Sequence, residues 1–218
     1  PNLWCPLTPS LNTPHTEARR AAGDQFWWYV CCGPHAPYIT EFIDHPGVEM
    51  RLWLWQTWKE RVTGVLIWET TYWHSDAAYP DKGTLQNPYL DPMSWVSDST
   101  LKPGTRAPWG NGDGRFLYPP LATLDPHNTT PVLEDPVDSY RLELLRDGID
   151  DYEYFAMLKR LLEKKGTSLS AKKRAKYAAL LTVPDTITAT MTTFTRDPRL
   201  LEAHRAKLAE AIEALTDE

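Results

Sequence analysis

Two apolar runs flank a long apolar-striped helix, and this arrangement restricts the fold more than any other part of the chain. The runs are Gln25-Phe-Trp-Trp-Tyr-Val-Cys-Cys32 and Gly64-Val-Leu-Ile-Trp-Glu-Thr-Thr-Tyr-Trp73. Neither alternates apolar with polar residues, which is the habit of strands covered on both faces in parallel sheets. Between them His45-Pro46 opens a helix whose Val48, Leu52, Trp55 and Val62 share a stripe, widened by Met50, Trp53, Leu54 and Trp58. Strand, crossover helix and strand make a βαβ unit, so the fold class is α/β and ligands are expected at the carboxyl edge of the strands.

The rest of the chain is read around that unit. Residues 2–7 form a short strand, residues 17–22 a brief helix ended by Gly23, and residues 38–43 one or two helical turns. From His74 to Glu134 Pro, Gly, Asn and Asp recur every few residues, yet the stretch is too aromatic for a solvated linker. It is expected to be an ordered loop over the carboxyl edge, with residues 115–118 as an extra strand. A helix capped by Asp138 then runs to Lys165, its Leu145, Ile149, Tyr152, Phe155 or Ala156, and Leu162 on one period. Gly148 interrupts it, as a kink or as a close packing contact. Residues 170–181 form an Ala-rich helix and residues 185–194 a weaker one. Asp197-Pro198 opens the last, with Leu201, His204, Leu208, Ile212 and Leu215 on its buried face.

Composition narrows the function. The formal charge of −6, with no basic stripe, argues against a nucleic-acid partner. No run is long and apolar enough to cross a membrane, and no membrane partner is expected. Cys5, Cys31 and Cys32 lack zinc-site spacing, and the histidines have no metal-type spacing among themselves, so neither metal nor cofactor is expected. Adjacent Cys31 and Cys32 read as small hydrophobes at a strand end.

Candidate site residues follow from strand spacing. Tyr29 and Cys31 share one face at the end of the first strand; Glu69, Thr71 and Trp73 share one at the end of the second. Aromatic faces flanked by acids and amides suit sugar rings. Glu69, an acid inside an apolar strand, reads either as a sugar-hydroxyl acceptor or general acid, or as a carboxylate paired with Arg or Lys. Asp91 and Asp113, flanked by Pro or Gly, read first as loop-structuring residues. Asp150, Asp151 and Glu153 read as helix capping or salt-bridging groups.

Five segments in this order then carry a family resemblance. They are Phe26-Trp-Trp-Tyr-Val-Cys-Cys-Gly-Pro34, Arg51-Leu-Trp-Leu-Trp-Gln-Thr-Trp58, Trp68-Glu-Thr-Thr-Tyr-Trp73, Gly112-Asp-Gly-Arg-Phe-Leu-Tyr-Pro119 and Ser139-Tyr-Arg-Leu-Glu-Leu-Leu-Arg-Asp-Gly-Ile-Asp-Asp-Tyr-Glu153. Together they resemble the C-terminal part of the catalytic domain of glycoside hydrolase family 123. The resemblance extends to about Glu163 and more loosely over the tail. It implies a (β/α)8 barrel and a β-N-acetylgalactosaminidase type of activity. There the substrate's N-acetyl carbonyl attacks the anomeric carbon, an Asp orients it, and the neighbouring Glu is general acid/base.

Two departures qualify what is carried over. The only Asp-Glu dipeptide is Asp217-Glu218 at the C-terminus, so the catalytic pair is expected upstream of Pro1. Thr71 stands where the family's Trp-x-x-Asn-x-Trp pattern has Asn, which leaves sugar specificity open. Residues 1–135 are then expected to be a partial barrel of about three parallel strands with the loop 74–134, and residues 136–218 the last barrel helix and a helical extension. The missing barrel half would be supplied in cis or by another chain. On this reading Tyr29, Cys31, Glu69, Thr71, Trp73 and Asp113 contact the glycan and the isolated chain is inactive. Two alternatives stay open: a glycosidase of other sugar specificity using Glu69, and a carbohydrate-binding barrel without hydrolysis.

Overall fold

Leu3–Trp4 (β1), Gln25–Tyr29 (β2) and Gly64–Leu66 (β3) lie side by side in a parallel sheet of order β1-β2-β3. In this computed structural model, residues 2–11, 14–81, 83–97, 105–166 and 168–217 are described. Leu3 pairs with Gln25, Trp27 with Gly64 and Tyr29 with Leu66. Side chains alternate across a strand, so Phe26 and Trp28 take one face and Trp27 and Tyr29 the other. Phe26 and Trp28 on the first face are buried: the exposed Trp4 stacks on Phe26, and the Trp28 indole donates to Thr57 Oγ1 at 3.0 Å. On the other face Leu3, Trp27 and Leu66 are exposed. The expectation of strands covered on both faces is thus corrected for the described residues.

Both strands are also shorter than expected, for a local reason. After Tyr29 the chain turns, Cys31 N bonding Gly33 O. After Leu66 the second run leaves the sheet. Thr70 O accepts from Phe116 N and Leu117 N, and Thr71 bridges Arg115 in antiparallel sense. The loop has taken the backbone groups that a longer strand would have offered to β2.

The crossover helix, Val48–Lys59 (α2), is buried on every side over residues 49–57. It lies between the sheet and Tyr140–Lys165 (α3), with Pro198–Thr216 (α5) packed on α3. Burial on all sides requires that its charges be paired. Arg51 donates to Asp151 of α3 through Nε and Nη2 and to Glu202 of α5; Glu49 meets His45 and Arg196. Asp151 also accepts the Trp55 indole at 2.8 Å, so it is a salt-bridging residue as expected. Gly148 sits where α3 touches α2: a Cβ there would be 2.8 Å from the Arg51 carbonyl oxygen.

Several local expectations are revised. The cap of α3 is Ser139, whose hydroxyl accepts from Leu142 N, while Asp138 ends a strand. Leu145, Phe155 and Leu162 are buried in α3, but Ile149 is 46 % exposed. Residues 38–43 are not helical; they run irregularly beneath the loop, with Ile43 N bonded to Asn111 O. Residues 185–194 contain the hairpin Thr188–Thr190 and Thr193–Phe194, in keeping with the preference of β-branched threonine for strands. Pro14–Ala21 (α1) and Ala171–Ala179 (α4) form near the expected places. The whole stripe Leu201, His204, Leu208, Ile212 and Leu215 of α5 is buried, and His204 donates through Nε2 to Leu180 O.

The long loop has structure of its own. Met93–Ser97 (β4) and Arg106–Asn111 (β5) pair antiparallel, and Leu117–Tyr118 (β6) pairs with Val137–Asp138 (β7). Of the extra strand expected at 115–118 only Leu117–Tyr118 forms, outside the parallel sheet. The expected turn residues work as such: Asp91 accepts from Met93 N and from the Trp95 indole.

Candidate functional site

The site is assembled by one tight turn pressed against the carboxyl edge of β2. Gly112 and Gly114 adopt φ of +82° and +71°, a region open to glycine at little cost. They deliver Asp113 inward, where it is fully buried and its Oδ1 accepts the Trp68 indole N–H at 2.7 Å. The fit is close, since a Cβ on Gly114 would lie 2.9 Å from Trp68 Cζ2. Held this way, Trp68 presents an outer face that is 38 % exposed, beside Trp109 at 41 %. Their ring centroids are 6.3 Å apart, and Tyr72 lies 5.3 Å from Trp68.

Beneath the indoles lies a pair of buried carboxyl groups. Glu41 is fully buried, and its Oε1 accepts Gly114 N at 3.2 Å. Among the described residues its Oε2 and Asp113 Oδ2 have no hydrogen-bond partner, and the Asp113 carboxyl lies close enough to act on that of Glu41. Burial and then Asp113 push the Glu41 carboxyl up to about 10. A proton held between the groups satisfies both orphan oxygens and removes like-charge repulsion.

Two arginines frame this pair without bonding to its carboxylate oxygens. Arg115 donates to Ser94 Oγ, Ser75 Oγ, Gln86 Oε1 and the Asp113 carbonyl. Arg141, from the first turn of α3, donates to the carbonyls of Glu41, Gly112 and Arg115. Burial draws both guanidinium groups below their ordinary range. Their work is to tie residues 41, 112 and 115 into one rigid unit.

Of the six sequence-predicted residues, Asp113 forms this turn, Glu69 and Thr71 lie against it, and Tyr29 and Cys31 lie with Cys32, which Asp113 reaches. Tyr29 lies beside Cys5, Cys31 and Cys32, and burial raises its phenol. Cys31 Sγ is 3.6 Å from Cys32 Sγ. Burial, Cys31 and Asp113 push the Cys32 thiol up to about 12, which disfavours the thiolate. Glu69 lies against Gly114, and Thr71 bridges Arg115. Glu69 Oε1 accepts from Thr71 N, Thr70 N and Thr71 Oγ1, bonds that hold its carboxyl below the usual range. Its partners are thus its own loop, in place of the expected Arg or Lys.

Trp73 stands apart from that group. Its indole donates to Leu117 O at 2.7 Å, and it lines a cavity of about 520 Å³ with His74, Asn87, Pro119 and Thr123. None of the other five residues lines that cavity.

The family model for the glycoside hydrolase 123 catalytic domain matches residues 4–158. The chain belongs to glycoside hydrolase family 123. The matched stretch of this family 123 chain contains β2, β3, α2, the loop and most of α3. A family 123 glycoside hydrolase from Clostridium perfringens, whose structure addresses glycolipid glycan hydrolysis, is similar at a TM-score of 0.44 and 16 % identity. That match covers 92 % of this chain and 28 % of the other, so the chain spans less than a third of that protein. No curated protein matches.

Sequence reasoning missed Glu41, Trp68, Trp109, Arg115 and Arg141 as members of the site. A signal existed for three of them. Glu41 stands in Ile39-Thr-Glu-Phe-Ile43, Arg115 before Phe-Leu, and Arg141 in a helix start of apolar neighbours. An acid or guanidinium in such a context is expected to be buried with a partner, the criterion that singled out Glu69.

Proposed function

We propose that this family 123 chain forms part of the glycan-facing rim of a (β/α)8 hydrolase that acts on N-acetylhexosaminides by substrate assistance. The acetamido carbonyl oxygen attacks the anomeric carbon as the glycosidic bond breaks, and the leaving oxygen takes a proton from a general-acid Glu. Water then opens the cyclic intermediate. The single observation that carries the reading is the exposed Trp68–Trp109 surface, anchored on Asp113 at the carboxyl edge of a parallel sheet. Such indole faces pack on the C–H faces of a sugar ring while neighbouring polar groups take its hydroxyls. Tyr29, Cys31, Glu69, Thr71 and Asp113 serve that surface by contact or support, while Trp73 meets the glycan away from it. Residues 1–135 form part of the barrel, and residues 136–218 supply its last helix and a helical extension.

The proton-handling Asp-Glu pair lies outside the residues that form this rim. Asp217 is the C-cap of α5, and Glu218 lies outside the described residues. Glu69 is held as a carboxylate by three bonds from its own loop, which suits support better than proton donation. The deciding assay is hydrolysis of a chromogenic N-acetylgalactosaminide, beside the N-acetylglucosaminide, by the full-length protein and by the 218-residue chain. Turnover by the full-length protein alone is expected. Turnover by the short chain that disappears in Glu69→Gln would instead assign the chemistry to Glu69.

A further inference from the structure

The cavity at Trp73 has no role in the rim just described, and its chemistry is distinctive. Among the described residues the lining is Trp73, His74, Leu85, Gln86, Asn87, Thr123 and their Gly, Leu and Pro neighbours, with no Asp, Glu, Lys or Arg. A volume of about 520 Å³ is within the range of small-ligand sites. The hydrogen-bonding state of each polar wall group can be assigned. His74 Nδ1 accepts from Gln86 N at 3.0 Å, so the neutral ring carries its proton on Nε2 and offers a donor. Asn87 Oδ1 accepts Tyr89 N, which leaves the Nδ2 amide as a second donor. The Thr123 hydroxyl donates to Pro120 O and keeps its lone pairs as acceptors.

We infer that this cavity is a second saccharide subsite, one that takes a neutral sugar residue of the glycan beyond the one seated at Trp68. The inference rests on the glycosidase reading above. Three observations carry it. The Trp73 indole is fixed by Leu117 O, so its ring is a preformed wall. The described walls hold donors and an acceptor but no charged side chain, which fits the hydroxyls of a neutral sugar. The cavity is rigidly joined to the rim, because Gln86 accepts from Arg115 Nη2 and donates to the carbonyls of Asp91 and Met93. Arg115 in turn holds the Asp113 turn, so two sugar positions are set at a constant separation.

The test compares two substrates on the full-length protein: an aryl N-acetylgalactosaminide, and a neutral oligosaccharide ending in the same sugar. Trp73→Ala removes the wall, and Leu85→Trp fills the cavity from its exposed side without removing a hydrogen bond. In each variant the ratio of kcat/KM for the oligosaccharide to that for the aryl glycoside is expected to fall about tenfold, the loss of one aromatic contact. An unchanged ratio in both variants overturns the subsite. If neither substrate is cleaved, the glycosidase reading fails; calorimetric binding of the oligosaccharide, weakened in Leu85→Trp, would still support the subsite, and no binding would overturn it.

Discussion

Trp68 donates its indole proton to Asp113 across 2.7 Å, and the carboxyl of Asp113 lies against that of Glu41 with neither acid exposed. An aromatic surface that faces outward is thus anchored on an acid pair that never meets solvent. Fixed geometry at a binding face reduces the entropy lost on binding. The energetics of the pair are therefore the first thing to test.

Glu41→Gln is expected to gain stability over the parent protein as pH rises. In the folded chain Glu41 titrates near 10, well above an exposed glutamate. Between those values the folded state holds a proton that the unfolded state has released, so stability falls with rising pH at up to about 1.4 kcal/mol per unit. Gln mimics the protonated acid at every pH and abolishes this slope. Denaturant unfolding of both proteins at pH 5, 7 and 9 measures the difference; a constant offset would show that Glu41 is ionised in the fold.

Glu69 should behave with the opposite sign. Its bonds to Thr71 and Thr70 lower the carboxyl, so its contribution is present above the ordinary carboxylate range and is lost as pH falls through the lowered value. The gap in Tm between the parent and Glu69→Gln is expected to shrink on acidification from pH 7 to pH 3. A gap that widens would mean that the carboxylate is not the bonded form.

Asp151 and Glu202 both contact Arg51, yet their removal should differ greatly. Asp151 is buried and accepts from Arg51 and the Trp55 indole, so Asp151→Ala leaves a buried cation poorly paired, at about 3–5 kcal/mol. Glu202 is 56 % exposed on its side chain, and Glu202→Ala should cost about 1 kcal/mol or less. Equal losses in urea titrations would place the anchor of α2 elsewhere.

Gly148→Ala pits two effects against each other. Alanine raises helix propensity by about 1 kcal/mol. Its Cβ would lie 2.8 Å from the Arg51 carbonyl and 3.1 Å from Arg51 Cα, backbone atoms that cannot step aside. Overpacking of that kind costs about 1–3 kcal/mol, so a net loss is expected. A variant as stable as the parent would show that α3 can slide on α2.

Much of the scaffold was legible because its signals are short-range. The crossover helix, the α5 stripe, the Asp197 cap and the two apolar runs depend on neighbours a few residues away. Residues 185–194 and 38–43 were misread where that local signal is weak: threonine serves a hairpin as well as a helix end, and the second segment is set by Asn111 and Gly114 far along the chain. The choice between a kink and a contact at Gly148 likewise waited for Arg51 to be placed beside it.

By itself, then, the sequence determined the βαβ plan, the family and the aromatic, carboxylic character of the site. Tertiary structure alone decided that Glu41 would meet Asp113 and that Trp68 would form the outer surface in place of Trp73. The physical reason is one of range. Backbone periodicity is written over a few residues, whereas the charge state and direction of a side chain depend on partners brought from 45 to 100 positions away.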